Sequence, residues 1–255
     1  MLRCTKKNRR DKSRQSVHPK EKRDDSTGPC AYTSKMGLST KVWDISQRLG
    51  PGLPIWPGDT PFASRPRWVY GPGSPVNVAS IELSTHSGTD ADAPLHYNPT
   101  GAAIDQMALE AYLGPVRMVD ARGQGDAVTA AFVETHWSAG VSRMLFRTFE
   151  RFPADYWPSH FTTVSAEAIA ALAARDVVLI GIDSPSLDPE TSKTMTAHRA
   201  MPPGMRILGG LVLDHVPPGD YELIALPLAL TGLDASPVRA VLRELDGNGE
   251  PTRDR

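Results

Sequence analysis

Residues 80–98 read SIELSTHSGTDADAPLHYN, and the interpretation of the whole chain starts from this stretch. It places His86, Asp90, Asp92 and His96 at positions i, i+4, i+6 and i+10. Imidazole nitrogens and carboxylate oxygens at such short intervals are the donors that a borderline divalent cation such as zinc prefers. Aspartates beside glycine or proline are commonly turn residues, but a turn does not account for four candidate ligands within eleven positions. The pattern therefore predicts a metal site.

The residues around these four side chains predict how they are presented. Ile81 and Leu83 alternate with polar residues, which is typical of a β-strand. Gly88 interrupts that strand, and Pro94 opposes a regular helix through the middle of the stretch. We therefore expect a strand that leads into an irregular loop, with several polar side chains directed at one point.

Two of the four residues suggest distinct roles. The carboxylate of Asp92 has two oxygens, so it can bridge two ions. His96 follows the Pro94 turn and can remain free of metal, where an imidazole is suited to moving protons near neutral pH.

The segment THSGTDADAPLHY, residues 85–97, resembles the signature His-x-Gly-Thr-His-x-Asp-x-Pro-x-His of the cyclase family of metal-dependent hydrolases. The resemblance continues from Trp43 to Arg243 and is similar in particular to the kynurenine formamidases of that family. It rests on further collinear blocks: WPGDTPF (56–62), LIGIDSPSLDP (179–189), SKTMTAH (192–198), GDYELIALPL (219–228) and LDASPVRAVL (233–242). Several blocks in the same order are far more specific than one short motif.

The resemblance implies an α/β fold, a single domain with a mixed sheet of the swivelling β/β/α type. It also implies an arylformamidase, which hydrolyses N-formyl-L-kynurenine to L-kynurenine and formate in tryptophan degradation, and which works as a homodimer. A metal ion suits this chemistry, because it brings the pKa of a bound water close to neutral.

Roles for single residues also follow from the resemblance. It implies one or two zinc ions, with His86, Asp90 and Asp92 on one ion and Asp92 with His198 on a second. His96 is then the general acid and base. A further residue, Trp56, is expected to line the substrate pocket, where an indole can stack on an aryl ketone.

Two positions depart from the family pattern. Asp90 stands where the family has a histidine, which shifts the metal preference towards harder ions such as manganese. Gly209 stands where the family has a metal-binding glutamate, and glycine offers no side-chain donor. Two alternatives therefore stay open: a family member that hydrolyses cyclic amides or lactones, and a binding protein that retains the fold without catalysis.

Composition limits the other possibilities. The chain has 255 residues, a formal net charge of −1 and 22% charged residues, which fits one large globular domain and gives no overall electrostatic case for nucleic-acid or membrane partners. Both cysteines, Cys4 and Cys30, precede the family-like region, so a cysteine-based zinc site is not expected there. No apolar run is long enough for a transmembrane helix and no secretory segment follows Met1, so we expect a cytoplasmic protein.

The chain divides into three parts. Residues 1–38 are charged and poor in large apolar groups, which predicts a disordered basic extension; a nucleic-acid-binding tail is the weaker alternative, and Met36 offers another translation start. The globular domain is expected over residues 39–246, followed by a polar tail, 247–255. Within the domain, residues 165–175 and 236–245 predict helices capped by Ser165 and Ser236, and residues 176–183 predict a strand buried on both faces.

Overall fold

The computed structural model describes residues 41–245. The basic extension expected over 1–38 and the polar tail expected over 247–255 lie outside the described residues. Within residues 41–245, no helix has both the length and the apolar character that crossing a membrane requires.

Strands make up most of the regular structure. In chain order they are β1 Val42–Asp44, β2 Ala63–Trp68, β3 Val78–Glu82, β4 Asp90–Asp92, β5 Leu113–Asp120, β6 Ala127–Val128, β7 Arg143–Arg147, β8 Thr163–Val164, β9 Leu179–Ile182, β10 Arg206–Gly209, β11 Gly219–Ile224, β12 Ala235–Pro237 and β13 Val241–Glu244. The helices are α1 Pro94–Tyr97, α2 Ala130–His136, α3 Ala166–Ala173 and α4 Thr196–Ala200, with 3₁₀ turns at Ile104–Gln106 and Leu109–Tyr112.

Nine of these strands form one mixed sheet, in the order β1-β13-β11-β5-β7-β9-β10-β4-β12. The four central strands β5, β7, β9 and β10 run parallel to one another, and the strand pairs on either side of them are antiparallel. The sheet is curled, so that the ends of two strands that are not neighbours meet. The amide of Val212, just past β10, donates to the carbonyl of Ile45, just past β1, at 2.9 Å. The mixed-sheet α/β fold implied by the sequence is therefore confirmed.

Two apolar cores lie on opposite faces of this sheet. On one face α2, α3 and α4 cover a cluster that includes Phe146, Ile169 and Ile180. The other face encloses a cluster that includes Tyr112 and Leu223. Burial of apolar area on both faces is the main stabilising contribution to such a fold.

Helix α3 and strand β9 agree with the sequence prediction. The hydroxyl of Ser165 accepts a hydrogen bond from the amide of Ala168 at 3.1 Å, which caps the helix as expected. Strand β9 is buried along its whole length between β7 and β10. A continuous apolar run is what a strand covered on both faces requires.

The helix predicted over residues 236–245 is wrong. This segment contains the end of β12 and all of β13, and Ser236 is the middle residue of β12. Val238, Ala240 and Leu242 are buried while the residues between them are more exposed, so the apolar period is two. The same sequence also has a helical apolar spacing, and pairing of β13 with β1 and β11 overrides that local preference.

Strands β2 and β3 form a separate hairpin, which ends in a bridge between Gly71 and Ser74. Residues 71–74, GPGS, therefore form the tip of this hairpin. Large apolar side chains on this hairpin are exposed, among them Trp68 (61%), Tyr70 (71%) and Ile81 (62%).

Candidate metal centre and substrate pocket

Strand β4 supplies the centre of the site. It lies between β10 and β12, with Asp90 opposite Gly209 and Asp92 opposite Ala235. The chain then enters the one-turn helix α1 at Pro94, so the irregular loop expected here is wrong in that respect. Proline is tolerated at the first position of a helix, where its missing N–H would have no partner in any case.

His86 lies against both carboxylates of β4. Its Nδ1 is 2.9 Å from Asp90 Oδ2 and 3.1 Å from Asp92 Oδ1. Burial lowers the pKa of His86, but hydrogen bonds to Asp90 and Asp92 outweigh it and raise the pKa to about 12. The local field therefore strongly favours a positive charge beside these carboxylates.

His198, from α4, reaches Asp92 from the other side. Its Nε2 is 3.6 Å from Asp92 Oδ2, and its Nδ1 is 2.6 Å from Asp188 Oδ2. Asp188 in turn accepts the amides of Ala197 and His198 at 3.0 and 3.1 Å, so it is held rigidly. Burial opposes ionisation of Asp92, but bonds from His198 and His86 outweigh it and hold the pKa of Asp92 well below its usual range.

His96, from α1, lies among the other two imidazoles. Its ring centroid is 4.2 Å from that of His86 and 5.7 Å from that of His198. Burial lowers the pKa of His96, although the side chain remains 28% exposed. A neutral imidazole facing a pocket has the properties that proton transfer requires.

Asp234 is a member of this cluster that the sequence analysis missed. Its Oδ2 lies 3.0 Å from His86 Nε2 and 3.4 Å from His96 Nδ1. It immediately precedes β12, and the register of β12 against β4 brings it to the site. The helix predicted from Ser236 concealed this, because only a strand that pairs with β4 places Asp234 beside the histidines.

Gly209 ends β10 and lies directly opposite Asp90. A Cβ atom at this position would be 3.3 Å from Asp90 Oδ1. The space that a side chain at 209 would enter therefore adjoins the Asp90 carboxylate. Asp90 thus provides a carboxylate at the point where Gly209 provides none.

The residues present fit a divalent cation. Three sets of donors have ligand atoms within 4.8 Å of one another: His86, Asp90 and Asp92; Asp92, His96 and His198; and His86, His96 and Asp234. Nitrogen and oxygen donors in such sets suit zinc or manganese. Imidazoles bind a metal only in their neutral form, and in that form the three carboxylates of Asp90, Asp92 and Asp234 leave a negative charge that a divalent ion would offset.

A cavity of about 480 Å³ opens above this cluster. Trp56 and Trp157 stand in its wall in edge-to-face contact, with ring centroids 5.5 Å apart. Trp157 is fixed because its indole N–H donates to Glu190 Oε2 at 2.7 Å. Phe149, Phe152 and Tyr156 add further aromatic surface. The combination of a polar floor and aromatic walls suits a small aryl substrate.

Within residues 41–245, three further histidines lie outside the cluster. His136 Nδ1 bonds to the carbonyl of Phe132 at 2.9 Å, and the side chain of His160 is 85% exposed. His215 lies beside Trp43, with ring centroids 6.0 Å apart.

Comparison with known proteins gives a consistent result. Residues 43–189 match the family model described as putative cyclase. The kynurenine formamidase of Maricaulis maris (strain MCS10) is 54% identical over 208 residues, covering 80% of this chain and 99% of that relative. A structure described as a potential metal-dependent hydrolase with cyclase activity matches with a TM-score of 0.71 and 27% identity, over 82% of this chain and 100% of its own. Isatin hydrolase A from Labrenzia aggregata, bound to benzyl benzoate, matches with a TM-score of 0.67 and 25% identity, over 80% and 93%.

Proposed function

The chain belongs to the putative cyclase family, and on that basis we propose that it is an arylformamidase that hydrolyses N-formyl-L-kynurenine to L-kynurenine and formate. The observation that carries the proposal is the position of the His/Asp cluster at the floor of an aromatic-walled cavity. The identity of 54% to a kynurenine formamidase over nearly all of that relative supports the substrate.

The metal would be held by residues already in contact. We assign His86, Asp90 and Asp92 to one ion and Asp92 with His198 to a second, with zinc as the first candidate and manganese as the other. The proportion of carboxylate among these donors favours the harder ion more than an all-histidine set would. Bound there, the metal would supply a nucleophilic water near neutral pH and polarise the formyl oxygen.

The protein's own groups orient the substrate and move the proton. The ring of the substrate packs against Trp56, which places the formamide over the cluster. His96 takes a proton from the attacking water and delivers it to the aniline nitrogen as the carbon–nitrogen bond breaks. The water oxygen joins the formyl carbon, so formate and the free aryl amine leave.

A second candidate is hydrolysis of a cyclic amide. The similarity to isatin hydrolase A supports it, because the fold and the aromatic cavity would also accept a bicyclic aryl amide. The same water attack would then open a ring instead of releasing formate.

A homodimer is also part of the proposal. An isolated two-stranded hairpin is at best marginally stable in water, yet β2 and β3 expose Trp68, Tyr70 and Ile81 to solvent. A second copy of this chain is the partner that would cover these side chains. We also propose that the protein acts in the cytoplasm on a small molecule and needs no nucleic-acid or membrane partner.

A substrate panel with two matched histidine variants tests the catalytic assignment. The protein, loaded with zinc or manganese, is assayed with N-formylkynurenine and with isatin. His96→Asn should lower kcat by about 10²- to 10⁴-fold, the usual contribution of a general acid or base, and His160→Asn on the exposed surface should leave it unchanged. Faster turnover of isatin than of N-formylkynurenine would favour the cyclic-amide reaction instead.

A further inference from the structure

Asp234 occupies a fixed position that the proposed ligand set does not use. Its main-chain carbonyl accepts the amide of Ala93 at 2.9 Å, and the next residue, Ala235, pairs with Asp92 across the sheet. Its side chain is therefore delivered by strand pairing and not by a free loop. A site residue fixed at the start of a paired strand is positioned more accurately than one on a free loop.

The two oxygens of this carboxylate have separate partners. Oδ1 accepts a hydrogen bond from the hydroxyl of Thr85 at 3.0 Å. Oδ2 lies 3.0 Å from His86 Nε2 and 3.4 Å from His96 Nδ1. Thr85 thus anchors one oxygen, and the other faces two imidazole rings at once.

We propose that Asp234 is a positioning residue that fixes the tautomers of His86 and His96, an inference that rests on the proposed function of this site. An ionised carboxylate only accepts hydrogen bonds, so each facing ring nitrogen must carry a proton. His86 then keeps its proton on Nε2, and its Nδ1, which Asp90 and Asp92 keep protonated in the metal-free protein, would give up its proton and turn its lone pair to a bound cation. His96 keeps its proton on Nδ1 and presents Nε2 as the base.

The third imidazole of the cluster is held in the same way. Asp188 Oδ2 lies 2.6 Å from Nδ1 of His198, which leaves Nε2 directed at Asp92. Each of the three rings therefore has one nitrogen on a supporting carboxylate, and in His86 and His198 the other nitrogen faces the carboxylates proposed as metal ligands. Supporting carboxylates of this kind set the orientation and the basicity of metal-binding histidines.

The test compares Asp234→Ala and Asp234→Asn with the unaltered protein. Two-bond nitrogen–proton correlation spectra of the zinc-loaded, ¹⁵N-histidine-labelled protein identify the protonated nitrogen of each ring, and competition with a chelator gives the zinc Kd. In the unaltered protein we expect protons on His86 Nε2 and His96 Nδ1. Asp234→Ala should scramble the His96 tautomer and weaken zinc binding by about 10- to 100-fold, as loss of such a support typically does. Asp234→Asn should fall between, because an amide oxygen is a weaker acceptor.

Two control variants separate this role from general disruption. Asp126→Ala, at a side chain that is 92% exposed, should change neither the spectra nor the zinc Kd. Asp188→Asn should change the spectrum of His198 and leave those of His86 and His96 as they were.

The inference is overturned if Asp234→Ala, or Asp234→Asn should the alanine variant not fold, keeps the original tautomers and zinc Kd. Neither readout needs turnover. An unaltered protein with the expected tautomers and no formamidase activity would therefore count against the proposed function alone.

Discussion

The glycine opposite Asp90 allows a quantitative test of the site's electrostatics. A side chain at 209 starts 3.3 Å from Asp90 Oδ1, so Gly209→Glu would add a carboxylate next to an existing one. Two like charges about 4 Å apart at an effective dielectric of about 20 repel by about 4 kcal/mol. Allowing for rotation of the new side chain, we expect the free energy of unfolding of the metal-free protein to fall by about 2–4 kcal/mol at pH 8.

The penalty should depend on pH and on metal. Burial raises the pKa of Asp90 to about 6, so this carboxyl is ionised at pH 8 and largely protonated at pH 5. The destabilisation of the variant relative to the parent should therefore be present above that pKa and shrink as the pH falls below it. A bound divalent cation offsets the repulsion, so the variant should bind zinc or manganese at least about tenfold more tightly than the parent, which corresponds to about 1.4 kcal/mol.

Urea unfolding, monitored at pH 8 and pH 5 with chelator or with excess metal, measures these effects. Gly204→Glu is the matched control, because a Cβ there meets nothing within 4 Å. Asp90→Asn combined with Gly209→Glu should recover most of the lost stability, since the repelling partner is then uncharged. If Gly209→Glu unfolds with the parent's free energy at pH 8 in chelator, or if its deficit is the same at both pH values, the electrostatic reasoning is refuted.

Two further predictions concern the pocket wall and the hairpin. Trp56→Ala should raise KM for N-formylkynurenine by about tenfold and leave the zinc content unchanged, because loss of one aromatic contact costs about 1 kcal/mol or more. Trp56→Phe should recover most of the lost affinity. An unchanged KM in both variants would remove Trp56 from the substrate site. Tyr70→Glu, in the hairpin, should convert a dimer into a monomer in sedimentation equilibrium, because the Tyr70 side chain is 71% exposed in the single chain. Tyr156→Glu is the control, since that side chain is 64% exposed but lies outside the hairpin, and it should leave the dimer intact. A dimer that survives Tyr70→Glu would contradict pairing through the hairpin.

The parts of the fold that the sequence predicted are those with strong local signals. Ser165 begins α3 because its hydroxyl caps the helix, and the continuous apolar run of β9 favours a strand buried on both faces. The grouping of His86, Asp90 and Asp92 followed from their spacing, and the placement of His198 beside them followed from family resemblance alone. Nothing local to residues 192–198 indicates that its ring faces Asp92.

The parts that the sequence did not predict depend on long-range pairing. The segment after Asp234 fits a helical period as well as a strand period, and only its neighbours β4, β1 and β11 decide between them. Because the segment was interpreted as a helix, the sequence analysis missed the strands β12 and β13 and the place of the Asp234 carboxylate in the site. The relation between Gly209 and Asp90 is of the same kind, since a cross-strand register joins residues that are far apart in sequence.

Metal content, measured together with N-formylkynurenine turnover before and after chelation, tests the central claim most directly. One or two equivalents of zinc or manganese, with turnover that chelator abolishes and added metal restores, is the expected result. Protein that binds neither metal and does not turn over N-formylkynurenine when either is added would contradict the account and would favour a binding protein on this fold.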